Sequence, residues 1–379
     1  MEKRKDKPLL ISILSMSLIT IMAGAAVAPA LGVIKQHFAN SNQLFVQMII
    51  SMPALFIVLT SFVFPSLCRK LNTKALVMTG MMLYVVGGCA AGCFDNLALV
   101  LIARALLGIG VGIIMPLSTG LLSFYFPPEQ QERLMGYSSA MNQLGGAVAT
   151  LLSGLLSEIS WRASFLVYLL GLASMVLSAI YLPKDKLESR ETKVSGKSLK
   201  EFFPYVAAIF LLMLTFFIYP SNFAIETVRE GIIPQSFISV IMAGMDILAF
   251  FGGLAFVIVK RSLRDNTRYF APLLFLLGYV LLCFGDWAGT IAGSVFIGFA
   301  NGAGIPFLIS EASKKAGKTA AATVMPMLSA ALYLAQFAAP IVMSGVSAVM
   351  PEGIARLPYC TAAVFAALFV AWSGIMIKE

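Results

Sequence analysis

Two ionisable side chains lie deep inside long apolar segments of the sequence, and their types suit proton chemistry. Asp246 lies near the middle of the segment 235–258, and Arg104 lies seven residues inside the segment 97–126. In a bilayer each charge would cost about 2.5–3.5 kcal/mol, so it should line water, pair with another group or act. Desolvation favours the protonated form of a carboxyl, and a nearby cation favours the ionised form. We therefore predict that Asp246 and Arg104 couple a proton, with structural ion pairing as the alternative.

Polar side chains at helical spacing on several apolar segments could line a chamber for a small molecule. The residues expected to face this chamber are Asn142, Thr215, Tyr219, Asn222, Ser294, Asn301, Tyr333 and Gln336. The phenylalanines of the segment 204–225 would make the chamber suitable for amphiphilic compounds. Ordinary helix packing is the alternative for the polar side chains, and contact with lipid is the alternative for the phenylalanines.

The sequence lacks the residue patterns of a membrane enzyme, a metal site or a nucleotide site. It contains no His-Glu-x-x-His and no Gly-x-Ser-x-Gly. The segment 196–198 (Gly-Lys-Ser) resembles the end of a phosphate loop, but Glu191 stands where the first glycine belongs. Five irregularly spaced cysteines predict no disulfide framework, and Cys89 and Cys93 are assigned to packing. We predict no cofactor, no metal and no enzymatic activity, and an ion gradient as the energy source.

The composition of the chain shows what kind of element must position these residues. Of 379 residues, 59% are hydrophobic and 12% are charged, and the mean hydropathy is +0.89. Soluble domains are about 25% charged, so the sequence predicts an integral membrane protein in a lipid bilayer. The net charge of +9 comes from short basic clusters between apolar blocks. That placement predicts contact with a membrane surface rather than with nucleic acid.

Long apolar blocks predict an all-α membrane protein with twelve transmembrane helices. A helix needs about 20 apolar residues to cross about 30 Å of hydrocarbon, and barrel strands would alternate in polarity. The first block is longer than the core of a signal peptide, so we expect it to be retained. Spans 1 to 12 are 9–34, 44–67, 75–94, 97–126, 134–157, 163–182, 204–225, 235–258, 270–285, 287–310, 320–349 and 358–377.

Basic residues predict the orientation of these spans. With the N-terminus inside, 22 of the 27 Lys and Arg residues fall in inner segments and 4 in outer loops. The positive-inside rule then places both termini in the cytoplasm. The expected location is a bacterial-type cytoplasmic membrane, with multiple passes.

The chain also looks duplicated. The hydrophilic stretch 183–203 separates six spans from six, and Gly108, Gly112 and Pro116 in span 4 recur 190 residues later in span 10. Basic inner loops after spans 2 and 8 align at the same offset. The predicted domains are an N-terminal six-helix bundle (1–182), a cytoplasmic linker (183–203) and a C-terminal six-helix bundle (204–379).

These features resemble the major facilitator superfamily along essentially the whole chain. The segment 104–112 is similar to its Arg-x-x-x-Gly motif, and the segments 142–146 and 161–165 resemble spans 5 and 6 of its drug:proton antiporter branch. The resemblance implies two pseudo-symmetric bundles and alternating access. It also implies that the basic inner loops take part in the conformational switch. The residues of this sequence at those loops are Arg69, Lys70, Lys74, Lys260 and Arg264.

The predicted function is a proton-coupled secondary active transporter that exports small amphiphilic or drug-like compounds. Its partners would be a small-molecule substrate, protons and lipid, without nucleic acid, and we expect a monomer. The alternative is an uptake symporter or uniporter for a small organic anion, with Arg104 as the docking cation. A channel and a membrane sensor remain as other classes.

Several polar residues at span ends receive structural assignments. Asp95 and Asp286 open spans 4 and 10, which predicts N-caps. His37, the only histidine, is expected to be solvated and without partners. Glu311 and Arg133 lie at inner helix ends, where they could latch the cytoplasmic side.

Overall fold

The computed structural model describes residues 3–186, 199–231, 233–350, 354 and 356–375. Within those residues every regular element is helical and no strand occurs. Ten segments of this part of the chain are long and apolar enough to cross a membrane. The prediction of an all-helical, multi-span membrane protein is confirmed.

The first six spans correspond to six helical segments. The first, α1, begins as Lys3–Ala25 and continues through the short helices Ala28–Ala30 and Leu31–His37. A 3₁₀ segment, Ala163–Leu169, leads into the sixth helix. The others are α2 (Gln43–Lys70), α3 (Thr73–Ala90), α4 (Leu97–Tyr125), α5 (Pro128–Ile159) and α6 (Leu170–Tyr181).

The second six spans follow the same numbering. Spans 10 and 11 lie on one helical run, Trp287–Val349, which would be about 95 Å long if straight. Two candidate membrane spans lie within that run, and we label them α10 (Trp287–Ala316) and α11 (Val324–Val349). The others are α7 (Phe203–Glu230), α8 (Gln235–Leu263), α9 (Thr267–Phe284) and α12 (Leu357–Ile375).

Within the described residues, all twelve predicted spans therefore coincide with helix, although only ten segments qualify as candidate spans. The stretch Gln235–Phe284 counts as one span of 50 residues, because α8 and α9 are joined by the 3₁₀ turn Arg264–Asn266. Helix α5 is not counted, because polar side chains such as Ser138, Asn142 and Thr150 lower its hydropathy.

Asparagine and aspartate side chains begin several of these helices. Asp286 accepts a hydrogen bond from the amide of Gly289 at 2.9 Å, which confirms it as the N-cap of α10. Helix α4 is capped by Asn96, which accepts from the amide of Ala98 at 2.9 Å. The prediction that Asp95 caps α4 is wrong, because the adjacent side chain performs that task and Asp95 binds other groups.

The chain divides into two compact units, Met1–Arg190 and Glu191–Glu379. The predicted linker 183–203 lies partly outside the described residues, which stop at 186 and resume at 199. Each unit pairs its helices in the same way. In unit 1, α2 and α3 pack on α4, α1 packs on α5, and α6 packs on α3. In unit 2, helices α7, α8 and α9 pack on the run Trp287–Val349, and α12 packs on α9.

The duplicated glycines perform the same task in the two units. A Cβ on Gly108 would lie 2.5 Å from the carbonyl oxygen of Pro53 in α2. A Cβ on Gly302 would lie 1.9 Å from the carbonyl oxygen of Ala249 in α8. Glycine is required at these positions because the helix backbones touch there. The internal repeat seen in the sequence is thus a repeated helix contact.

Candidate functional site

A polar cluster in unit 2 surrounds the acidic residue of α8. Asp246 is half-buried and lies close enough to Tyr219 of α7 for an electrostatic interaction. The phenol oxygen of Tyr219 lies 2.7 Å from Oγ of Ser294 in α10. Because Ser294 donates its hydroxyl proton to the carbonyl of Thr290 at 2.8 Å, its oxygen accepts from Tyr219. Asp246, Tyr219 and Ser294 therefore form a polar group from three helices.

A fourth helix closes this cluster through a residue that was not predicted. Tyr279 of α9 is fully buried and donates its hydroxyl to the carbonyl of Thr215 at 2.5 Å. The ring of Tyr219 stacks on Phe223, with 4.5 Å between centroids. Tyr279 lies in an apolar run and has no polar neighbour at helical spacing, so the sequence pattern offered no signal for it. The structure thus brings together three of the predicted chamber residues, Thr215, Tyr219 and Ser294.

The other chamber residues of unit 2 lie on the same set of helices. Asn222 is buried on α7, where its Nδ2 donates to the carbonyl of Ile218 at 2.8 Å. Among the described residues, the buried Oδ1 of Asn301 on α10 has no hydrogen-bond partner. On α11, Tyr333 is half-buried and Gln336 is buried.

Asn142 lies in a different part of the structure, at the contact between α1 and α5 in unit 1. Its Oδ1 accepts a hydrogen bond from Thr20 Oγ1 at 2.6 Å. One turn away, the hydroxyls of Ser17 and Ser138 lie 2.7 Å apart. These bonds join two helices that touch at Gly145, where a Cβ would lie 1.9 Å from the carbonyl of Leu18.

Arg104 is fully buried in unit 1 and its guanidinium is occupied by protein groups. Nε donates to the carbonyl of Ile49 at 2.7 Å, and Nη1 donates to the hydroxyl of Tyr168 at 2.7 Å. Nη2 donates to the carbonyl of Ala23. The side chain therefore connects α4 with α1, α2 and the segment Ala163–Leu169.

Two of these acceptors are carbonyls without a helical donor. The Ile49 carbonyl would normally accept from the residue four positions on, but that residue is Pro53, which has no N–H. Ala23 lies in the last turn of Lys3–Ala25, where carbonyls lack intrahelical partners. Arg104 supplies hydrogen bonds that the apolar surroundings cannot.

A second set of acidic residues lies at the C-terminal end of α7. Glu226 is 2% exposed and forms an ion pair with Arg229. It lies two turns beyond Tyr219 on the same helix face, and Tyr359 of α12 interacts electrostatically with both. Glu226 continues the helical spacing of Thr215, Tyr219 and Asn222, but that spacing does not reveal its burial.

Arg356, which the sequence places in an outer loop, is only 7% exposed. Its Nε lies 3.0 Å from Oε1 of Glu230, and its Nη2 contacts the other carboxylate oxygen. Its Nη1 donates to the carbonyl of Leu282. A small pocket with room for about one water molecule opens beside this ion pair. It is lined by Thr227, Glu230, Ile233, Leu282, Thr290, Arg356 and Tyr359.

The predicted switch residues lie at helix ends, on the side that the basic residues assign to the inside. Arg69 and Lys70 are exposed at the end of α2, and Lys74 is half-buried at the start of α3. In unit 2, Arg264 has a positive φ of 49° at the end of α8.

Lys260 of α8 is joined to α10 by an ion pair. Its Nζ lies 2.6 Å from Oε1 of Glu311, which also binds Lys314 at 3.0 Å. Arg133, the other predicted latch residue, donates to the hydroxyl of Tyr137 on its own helix at 2.6 Å.

A polar cluster at one end of unit 1 corrects the assignment of His37. His37 Nε2 lies 3.1 Å from Oδ1 of Asp95, and its ring lies 4.8 Å from that of Trp161. Arg162 also binds Asp95. Desolvation raises the pKa of the Asp95 carboxyl, but the hydrogen bonds from Arg162 and His37 outweigh it and hold the pKa below its ordinary value of 3.8. The prediction that His37 has no partners is wrong, because loops distant in sequence meet here.

Among the described residues, no group of three or more His, Cys, Asp or Glu side chains is arranged to hold a metal ion.

Comparison with known proteins agrees with the helical architecture. A family model described as Major Facilitator Superfamily matches residues 13–340. Two solved structures superpose on nearly the whole chain. The nucleoside transporter NupG is 14% identical, with a TM-score of 0.75 over 98% of this chain and 99% of that one. A bacterial homolog to the human lysosomal transporter Spinster, inward-facing and unoccupied, is 13% identical, with a TM-score of 0.75 over 98% and 96%.

Similar sequences include proteins named for drug resistance. The quinolone resistance protein NorA of Staphylococcus aureus (strain MSSA476) is 25% identical over 254 residues, which are 62% of this chain and 64% of that protein. A multidrug resistance protein B homolog of Mycobacterium tuberculosis (strain CDC 1551 / Oshkosh) is 30% identical over 124 residues, or 32% and 23%. The chain spans less than two thirds of the length of these curated relatives.

Proposed function

Because the chain belongs to the Major Facilitator Superfamily, a superfamily of membrane transporters, we propose that it is a proton-coupled secondary transporter that exports small amphiphilic compounds by alternating access. The substrate class and the direction are supported by the similarity to proteins named for quinolone and multidrug resistance. The proposed setting is a bacterial cytoplasmic membrane, with both termini inside and the protein acting as a monomer.

The observation that carries this proposal is the position of Asp246. It is a carboxyl in the middle of a membrane span, half-buried beside the hydrogen-bonded pair Tyr219 and Ser294. When its surroundings are dry the carboxyl keeps a proton, and when water reaches it the ionised form is favoured. A transporter that alternates between two accessible states would in this way bind a proton on one side and release it on the other.

The substrate would bind near this cluster in unit 2. Tyr219, Phe223 and Tyr279 are buried aromatic side chains of this cluster, and Asn222 and Asn301 add polar groups. Apolar walls with a few polar groups are typical of small-molecule sites. We retain Thr215, Ser294, Tyr333 and Gln336 as further candidates on the same helices, and we retain Asn142 of unit 1 as a proposal.

Arg104 is proposed to act by holding helices in place. Its three nitrogens already donate to Ile49, Tyr168 and Ala23. A cation with all three nitrogens engaged is poorly suited to dock a substrate carboxylate, so the uptake of an organic anion gains no support. Any part that Arg104 plays in proton coupling would follow from the positions of α1, α2 and α4.

The basic inner loops are proposed to bias the conformational equilibrium. Arg69, Lys70, Lys74 and Arg264 lie at inner helix ends, and Lys260 forms the ion pair with Glu311. An ion pair that forms in only one conformational state stabilises that state and raises its population. Neutralising Lys260 should therefore shift the balance between states without affecting the substrate site.

Transport in proteoliposomes tests the proposal. An imposed pH gradient should drive flux of a fluorescent amphiphilic cation, such as ethidium, through the wild type. Asp246→Asn should lose the response to the gradient while still binding the probe. Asp286→Asn is the matched control, because that aspartate caps α10 at its outer end and should keep coupled flux. Retention of gradient-driven flux by Asp246→Asn would overturn the assignment.

A further inference from the structure

Two cysteines that are far apart in sequence meet at one end of unit 2. Cys283 and Cys360 are 77 residues apart, and their sulfur atoms lie 3.5 Å from each other. Cys283 is half-buried in the last turn of α9, and Cys360 is exposed in the first turn of α12. Irregular spacing in the sequence gave no reason to pair them.

The surrounding contacts hold the two chain segments in register. Arg356, four residues before Cys360, donates to the carbonyl of Leu282, which precedes Cys283. The same guanidinium lies against Gly285, where a Cβ would lie 3.1 Å from its central carbon. To form a bond, the two sulfur atoms would have to approach from 3.5 Å to about 2 Å.

The predicted membrane topology determines the redox environment of the two thiols. Helix α9 ends and α12 begins on the side that the basic residues assign to the outside. Thiols on that side meet an oxidising compartment, whereas cytoplasmic thiols are kept reduced.

We propose that Cys283 and Cys360 form a disulfide bond that fastens α9 to α12 on the outer face of unit 2. The inference rests on the predicted orientation and is independent of the proposed function. The oxidant is the disulfide of a thiol oxidoreductase. The thiolate of exposed Cys360 attacks one of its sulfurs, forming a mixed disulfide and releasing the other sulfur as a thiolate. The thiolate of Cys283 then attacks the sulfur of Cys360 and displaces the second thiolate.

The exchange balances in protons and electrons. Two thiols of the transporter lose two protons and two electrons, and the disulfide of the oxidoreductase gains two electrons and becomes a dithiol. The bond closes a long loop that contains α10 and α11. Reduction should then lower the midpoint of thermal unfolding by about 5–10 °C, from the usual stabilisation by a disulfide and the size of the unit.

The other half of the molecule supplies an internal control. Cys93 precedes Cys283 by 190 residues, the offset of the repeated glycines, whereas Leu170 stands at the position that matches Cys360. Cys93 is exposed, and its sulfur lies 3.9 Å from the carbonyl oxygen of Cys89. Cys93 should therefore remain a thiol under conditions that oxidise the pair.

Thiol trapping of the full-length protein tests the inference. Intact cells are quenched with acid, and free thiols are blocked with N-ethylmaleimide (the light label). Disulfides are then reduced, and the released thiols are labelled with an isotopically heavy maleimide (the heavy label) before peptide mass spectrometry. Cys283 and Cys360 should carry mainly the heavy label, and Cys93 should carry the light label. In Cys283→Ser, Cys360 should change to the light label.

Two outcomes would overturn the proposal. One is light label on both Cys283 and Cys360 in intact wild-type cells, even where diamide joins them in detergent. The other is heavy label on Cys360 that persists in Cys283→Ser, which would indicate a different partner.

A variant with serine at Cys68, Cys89 and Cys93 keeps the pair alone, and its melting midpoint should fall on reduction as in the wild type.

Discussion

At the scale of single residues, the sequence predicted which charges lie in the membrane but not what they touch. The position of Arg104 within span 4 was clear from the apolar run around it. Its acceptors could not be predicted, because they are backbone carbonyls on other helices and the hydroxyl of Tyr168. One of them exists only because Pro53 leaves the Ile49 carbonyl without a donor. Such a partnership depends on tertiary packing, which single-helix patterns do not contain.

The partnership of Arg104 with Ile49 predicts a specific double-mutant cycle. Arg104→Gln should lower the free energy of unfolding by about 3 kcal/mol, because buried acceptors lose charged donors. In a Pro53→Ala background the new N–H satisfies Ile49 from within α2, so the same substitution should cost about 1 kcal/mol less.

Thermal or denaturant unfolding of the purified variants measures this coupling. Arg133→Gln is the control, since that side chain has an exposed bond to Tyr137 on its own helix and should show no coupling to Pro53→Ala. Equal costs of Arg104→Gln in the two backgrounds would contradict the account.

Tyr219 is predicted to tune proton binding at Asp246. Tyr219→Phe keeps the ring stacked on Phe223 but removes the hydroxyl beside Asp246 and Ser294. The surroundings of the carboxyl become less polar, which favours its protonated form. The pH at half-maximal transport should therefore rise, as measured by flux in proteoliposomes across a pH series.

The matched control for Tyr219→Phe is Tyr279→Phe, because the Tyr279 hydroxyl donates to the backbone at Thr215. Its pH profile should follow the wild type. If the pH profiles of the wild type, Tyr219→Phe and Tyr279→Phe coincide, Tyr219 does not influence proton binding.

At the scale of helices, apolar length and the periodic polar faces predicted most of what the structure contains. All twelve spans coincide with helix, and Asp286 caps α10 as expected. The spacing did not distinguish a chamber residue from a packing residue, since both types lie on the same face. Asn142 is an example, because its bond to Thr20 places it in the contact of α1 with α5. The neighbour that covers a face is set by the packing of several helices.

The contact of α1 with α5 depends on the absence of a side chain at Gly145. A Cβ there would lie 1.9 Å from the carbonyl of Leu18, whereas Gly136 on the same helix has nothing within 4 Å of its Cβ position. Gly145→Ala should destabilise the protein by about 1–3 kcal/mol through overpacking. Gly136→Ala should be neutral or stabilising by up to about 1 kcal/mol, because alanine favours helix. Thermal unfolding of both variants decides this, and equal midpoints would contradict the close approach.

The loop cluster around Asp95 predicts a pH-dependent contribution to stability. Its pKa in the folded protein is held below 3.8 by Arg162 and His37. The stabilisation is therefore fully present above the unfolded value and is lost as the pH falls through the lower, folded value. Asp95→Asn should melt slightly below the wild type at neutral pH, and the difference should disappear in acid below pH 3.8. A difference that grows in acid would contradict the sign.

At the scale of the whole molecule, the duplication seen at an offset of 190 residues reflects a repeated architecture. Each unit has the same set of helix pairings, and the repeated glycines provide the same close contacts. The two halves differ in chemistry. Unit 1 carries the fully buried Arg104, and unit 2 has Ser294 at the matching position together with the acidic residues Asp246 and Glu226. This asymmetry could be seen in the sequence, but the hydrogen bond between Ser294 and Tyr219 could not.

Proton release on substrate binding tests the central claim most directly. Purified transporter in weakly buffered detergent solution is mixed with ethidium while a pH-sensitive dye reports free protons. At the midpoint of its transport profile, where the carboxyl is half-protonated, the wild type should release up to about half a proton per bound probe molecule. Asp246→Asn should bind the probe with no release. Equal release by the two proteins would contradict the assignment of Asp246 as the proton carrier.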